Sequence, residues 1–313
     1  MKRDDPWGVS WRIGNAMRRF SLRKMVRQTS AFISNVHYEK PVFIIGAQRS
    51  GTTTLFHLLR ESEEFAALET EGHDLWRTFH HPRWSKWSSD ALSASDALPF
   101  EARYSNAFLR AKATYHPLAA RFVEKTPENS LRVGYLQALY PDAIFVVLKR
   151  NPGDVLNSLI NGWRHPEGRY RSYFVPKQLY IPDYHYPHQW CFTLVPGWRE
   201  MTAMTIPQIA REQWICTHQH LLVARELIAA SNWVELNFED MINPTMEILT
   251  ELCGKIGIPL TPKLLERWKT ILASPRNSTS TPGVEKWRLE NEDEIAALLP
   301  GIRDLAAECG YKI

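Results

Sequence analysis

The 313-residue chain has no apolar run approaching the roughly 18–20 residues that cross a bilayer, which argues against a membrane-spanning helix. It has only 4 cysteines, Cys191, Cys216, Cys253 and Cys309, widely spaced and with no C-x-x-C. A disulfide scaffold, a zinc knuckle and a redox dithiol are thereby excluded, and a reducing, cytoplasmic setting is expected. Its 15 glycines and 20 prolines are scattered and no heptad persists, so collagen and coiled coil are excluded too. Histidines come in close pairs (His80-His81, His185 with His188, His218 with His220), but none has H-E-x-x-H spacing, and no metal site is expected.

Apolar residues make up 44% and charged residues 23%, the balance of a globular protein with a sizeable core. The net charge of +4 is unevenly placed. Residues 1–30 carry eight Lys and Arg against Asp4 and Asp5, a surplus of +6 that leaves the rest at −2. No apolar h-region follows these cations, so the segment does not read as a signal peptide. Trp7, Trp11, Met17 and Phe20 interleave with them. Two readings stay open: a basic amphipathic helix on an anionic membrane surface or partner, or a solvated helix packed on its own domain. The chain divides into a basic arm over 1–39 and one domain over 40–313.

Short apolar runs predict buried strands at 41–45, 121–124 and 144–148, with a weaker one at 233–236. Helical spacing is expected over 53–60, 130–140 and 152–161, and after Asn243-Pro244 to about 256. This alternation predicts an α/β fold with a parallel sheet flanked by helices. Segments 72–118 and 163–200 break the rhythm; the second is rich in Pro and aromatics. Both read as insertions that form lids or an acceptor site.

The most informative segment is Gly46-Ala47-Gln48-Arg49-Ser50-Gly51-Thr52-Thr53, between the first strand and its helix. Its glycines have P-loop spacing, in which backbone N–H groups and a helix N-terminus surround a phosphate. A nucleotide triphosphatase needs Lys where Thr52 stands. Here the cation is Arg49, and Ser50, Thr52, Thr53 and Thr54 supply hydroxyls. Arg150, closing the strongest strand, with Ser158 on the next helix, suits a second phosphate away from the first.

At this point the chain resembles the PAPS-dependent sulfotransferase family, in its bacterial and Golgi-type branch. Ala47-Gln48-Arg49-Ser50-Gly51-Thr52-Thr53 is similar to the family's 5′-phosphosulfate loop, and Val146 to Pro152 with Ser158 to its 3′-phosphate motif. Glu124-Lys125-Thr126-Pro127 and Phe238-Glu239-Asp240 are softer likenesses, and the whole covers roughly residues 40–290. The resemblance implies a P-loop-like α/β fold that binds 3′-phosphoadenosine 5′-phosphosulfate (PAPS) without a metal. It would move the sulfuryl group to an acceptor and release 3′-phosphoadenosine 5′-phosphate (PAP).

The resemblance also implies roles. Lys125 would stand near the leaving bridging oxygen, with Arg49, Thr52 and Thr53 on the departing phosphate. A base must take the acceptor proton; Glu71 is the first choice, with Glu69 and His73 behind it. A C-terminal flap would bring Ser278 and Lys286 to the phosphates and Trp287 beside them. The family's Tyr in the Tyr-Glu-Asp segment is Phe238 here, so any bond from that hydroxyl is lost. The expected acceptor is a small molecule or carbohydrate bearing a hydroxyl or amine, and nucleic acid is not expected. Two alternatives stand beside this reading: a P-loop nucleotide kinase or NTPase, and a basic-armed adaptor for nucleic acid or membrane.

Overall fold

A computed structural model describes residues 36–272 and 283–311. Its centre is a five-stranded, all-parallel sheet in the order β2-β3-β1-β4-β7. The strands are β1 (Val42–Ile45), β2 (Phe65–Ala66), β3 (Arg121–Glu124), β4 (Ile144–Lys149) and β7 (Trp233–Asn237). β1 and β4 read as unbroken apolar runs because both of their faces are covered, as parallel sheets require. Ile44 pairs with Val146 and Ile45 with Val147, so β4 runs two residues past the end of β1. From β1 the chain moves to one side of the sheet, and from β3 it crosses to the other. The carboxyl ends of β1 and β4 therefore flank the switch point where open α/β sheets bind ligands.

The helices that position the site are α1 (Thr52–Leu59) after β1 and α2 (Glu101–Lys112). They continue with α3 (Val133–Leu139), α4 (Pro152–Trp163) after β4, and α5 (Ile206–Leu227). Pro152 opens α4 and Asn151 accepts from the Asp154 amide as its cap, which fixes the turn leaving Arg150. α6 (Met246–Ile256) covers the outer face of the sheet, capped by Thr245 and closed by Gly257 at φ 69°.

Several elements depart from the sequence expectations. The helix expected over 130–140 is two pieces: a 3-10 turn over Pro127–Leu131, then α3. The break falls at Arg132, φ −130°, whose buried guanidinium donates to Asp90. The last helix starts after Thr245 and not at Asn243-Pro244, because a short helix, Phe238–Ile242, already occupies the preceding turn. Insertion 72–118 contains the whole of α2. Insertion 163–200 contains an antiparallel pair, β5 (Arg171–Phe174) and β6 (Gln189–Cys191). Its aromatics mostly build a second core: Trp163, Trp190 and Trp198 are all buried and meet edge to face. The basic arm lies outside the described residues up to position 35.

Candidate active site

The loop between β1 and α1 begins at Gly46, φ 148°, where a Cβ would stand 2.4 Å from the Leu148 carbonyl oxygen of β4. Only glycine lets the loop leave the sheet this close to its neighbour. Buried Ser130 clasps the same residue, accepting from its N–H at 3.0 Å and donating to its carbonyl at 2.8 Å. Arg49 holds φ 72° and Gly51 φ 100°, a left-handed pair that turns the chain into α1. Among the described residues no side chain caps that helix, and a helix N-terminus of this kind suits an outside acceptor. Ser50 Oγ is buried in the loop with no partner among the described residues.

The two cationic motifs meet here. Arg49 Nε donates to Ser158 Oγ at 3.0 Å, and its guanidinium lies 4.5 Å from the Tyr170 ring centre. Arg150 Nη1 donates to the Arg49 carbonyl at 3.1 Å, and its guanidinium stacks 4.3 Å over Phe238. Burial lowers the pKa of both groups, and Arg150 Nε has no partner among the described residues. Two desolvated guanidiniums, one of them with a donor left unpartnered among the described residues, suit a phosphorylated ligand. Ser158, expected beside Arg150, instead holds Arg49, so the phosphate grips form one cradle.

Lys125 follows β3 and is almost wholly buried, 2% exposed. Its ammonium donates to Thr53 Oγ1 at 2.9 Å and to Glu71. Glu71 also accepts from His73 Nε2 at 2.7 Å. Burial would raise the Glu71 pKa, but the His73 hydrogen bond and the Lys125 charge overcome it and hold the pKa at about 2. The turn carrying both residues is tied to β3 through Gly72, whose N–H donates to Glu124 Oε1 at 3.1 Å and to Thr126 Oγ1 at 2.9 Å. Glu124 is a buried strut, with its pKa raised by burial and Asn129 donating to its other oxygen.

Two cavities adjoin this bridge. One of about 270 Å³ is walled by Gln48, Arg49 and Thr52 from the loop, Glu128 from the turn, and Tyr170 and Phe192 from the second insertion. The other, of about 380 Å³, is walled by Phe56, His57, Glu69 and Thr70. Thr53, Glu71, His73 and Lys125 line both. The two cavities thus meet at the Glu71–Lys125 pair.

A model described as the sulfotransferase family matches residues 41–262. The chain belongs to the sulfotransferase family. Nodulation protein NoeE of Sinorhizobium fredii (strain NBRC 101917 / NGR234) is 32% identical over 139 residues, 40% of this chain and 32% of that protein. The chain thus aligns with about a third of the length of this curated relative. Among solved structures, sulfotransferase STF9 of Mycobacterium avium superposes with a TM-score of 0.58 at 17% identity, covering 95% of this chain and 83% of that one. A sulfotransferase from Alicyclobacillus acidocaldarius gives 0.51 at 15% identity, covering 89% and 98%. These likenesses show the fold: a central parallel sheet between helices.

The structure also places other expected residues of this sulfotransferase. Thr54 lines neither cavity; its N–H closes the first turn of α1 on the Gly51 carbonyl at 2.9 Å. Glu69 is exposed and accepts from Thr114. Trp287 is buried against Gly153 of α4, and Lys286 pairs with Glu290 at 3.3 Å. Asp154 holds this stretch by accepting from the Glu285 and Trp287 amides. Ser278 lies outside the described residues. Sequence reasoning missed Ser130, Asp154, Glu128 and Tyr170. Only Asp154, two residues after Pro152, stood within a motif. No group of three His, Cys, Asp or Glu residues able to hold a metal occurs among the described residues, and none of their helices is long and apolar enough to cross a membrane.

Proposed function

We propose that this sulfotransferase moves the sulfuryl group of PAPS onto a hydroxyl or amine of a small-molecule or carbohydrate acceptor, without a metal. The observation that carries this reading is the single cradle made when Arg150 bonds the Arg49 carbonyl while Arg49 bonds Ser158. A ligand with phosphate at both ends of a nucleoside satisfies both guanidiniums, the uncapped first turn of α1 and the orphaned Ser50 hydroxyl. Gln48 and Thr52 line the same wall.

In this reading Arg49, Thr52 and Thr53 hold the 5′-phosphate, and Lys125 stabilises the charge that grows on the leaving oxygen. The acceptor oxygen bonds to sulfur from the Glu71 side while the bond from sulfur to the bridging oxygen breaks, its electron pair leaving with PAP. Glu71 lies where the acceptor proton is released. Thr52 stands where a triphosphatase carries Lys, which disfavours the kinase alternative. The acceptor wall of Glu69, Thr70 and His57 is polar, which suits a hydroxylated acceptor.

A thermal-shift series tests the donor: PAP raises the melting temperature and ATP with magnesium does not. Incubation with labelled PAPS and a cell extract, followed by mass analysis, identifies the acceptor. Absence of any PAP effect removes the reading.

A further inference from the structure

His73 is held from both sides. Its Nε2 hydrogen-bonds Glu71 Oε2 at 2.7 Å, and its Nδ1 faces Glu128 Oε2 at 3.3 Å as an ion pair without hydrogen-bond geometry. Glu128 is 2% exposed and rigidly placed, since Pro127 opens its 3-10 turn directly after Lys125-Thr126. Its other oxygen accepts from Arg77 and from Tyr173 at 3.3 Å. Tyr173 reaches on to Asp90, and Asp90 to Arg132 at 3.0 Å. A line of alternating charge thus runs from Lys125 through Glu71, His73 and Glu128 to a core formed with both insertions.

An imidazole with a carboxylate at each nitrogen keeps a proton on both. The pKa of His73 agrees: burial lowers it, but Glu128 and Glu71 raise it to about 10. A ring that already carries both protons takes no third. We propose that Glu128 is a positioning residue whose charge keeps His73 a doubly protonated imidazolium, leaving Glu71 as the group that receives the acceptor proton. This assignment rests on the sulfotransferase reading above. During transfer the acceptor O–H bond breaks and its proton passes to the Glu71 carboxylate, while His73 keeps both protons and steadies Glu71 Oε2.

Other charges face the ring as well. Lys125 stands beyond Glu71, and Arg77 lies one turn further along the chain. Arg49 and Arg169 border one adjoining cavity, and His57 and Glu69 the other. The cations disfavour the imidazolium, so the carboxylate behind the ring is what offsets them.

The test follows the His73 Cε1–H signal of the full chain by NMR across pH, assigned by its loss in His73→Gln. In the wild type the ring stays protonated to about pH 9, Glu128→Gln lowers its midpoint by one unit or more, about tenfold in proton affinity, and Glu128→Asp recovers most of it. A wild-type midpoint near that of free histidine, or no change in Glu128→Gln, overturns the proposal. If Glu128→Gln does not fold, Glu71→Gln decides: Glu128 alone must still keep the midpoint above about pH 8, and a lower value overturns it. None of these titrations contains PAPS. Failure of the wild type to bind PAP would therefore strike the proposed function and not this arrangement.

Discussion

Lys125 Nζ joins Thr53 Oγ1, at 2.9 Å, to the Glu71 carboxylate, so one ammonium ties the phosphate-loop helix to the residue that would take the acceptor proton. In the proposed function a bound donor would draw on that same ammonium. Glu71 would then compete with the donor for Lys125 and lose that partner when the site fills. Glu71→Gln should therefore bind PAP about tenfold more tightly, whereas Glu71→Gln in a Lys125→Met background should gain little. Glu69→Gln removes the same charge from the cavity without touching Lys125 and serves as control. Calorimetric titration of the four proteins of the cycle, wild type included, checks this, and an equal gain in both backgrounds ends the idea of competition.

Arg49→Ala and Arg150→Ala each remove one guanidinium from the cradle. Each should weaken PAP binding by roughly ten- to a hundredfold, the worth of a hydrogen bond to a charged group. Because Arg150 bonds the Arg49 carbonyl, the double variant should lose less than the two effects combined. Calorimetry on the three proteins measures both points. Wild-type affinity in both single variants would contradict the site.

The His73 pKa is raised in the folded state from 6.5 to about 10. Its contribution to stability is therefore complete below the unfolded value and is lost as pH rises through the folded one. Urea midpoints taken from about pH 6 to about pH 10 should fall more steeply for the wild type than for His73→Gln. Parallel curves would mean that the two carboxylates do not hold the ring's proton.

Gly51 has φ 100°, and a Cβ there would lie 2.4 Å from the Phe238 ring. Gly51→Ala meets both the strain and the clash, with an expected loss of about 1–3 kcal/mol. Phe238→Leu added to Gly51→Ala makes room but does not relieve φ, so only part of the loss returns. Thermal melts of the three chains read this directly; full recovery would assign the whole effect to the clash.

How far the sequence can be read depends on how local each feature is. β1 and β4 were legible because both faces are buried and the run is unbroken. β2 has two residues, too few to carry a period. Helix α5 was overlooked although Thr205 and Gln208 make a capping box and Ile206, Ile209, Ala210 and Trp214 follow at helical spacing. The signal was there and lay next to a proline-rich stretch that masked it. The second insertion misled in another way: its aromatics look like a binding surface, but most of them are core, Phe174 and Tyr180 are exposed, and only Tyr170 and Phe192 of the described aromatics there also line the cavity.

The phosphate loop, the arginine closing β4 and the acidic turn at Glu71 could be named from residue types and spacing, because a strand, a glycine turn and a helix N-terminus are short-range features. Which side chains face one another was decided only by the folded chain. Ser158 went to Arg49, Lys125 to Glu71, and Glu128 came to stand behind His73 because parallel strands bring their ends together from positions far apart in the chain. Charge and hydrogen bonding act over a few ångströms of space, and separation along the backbone does not measure that distance.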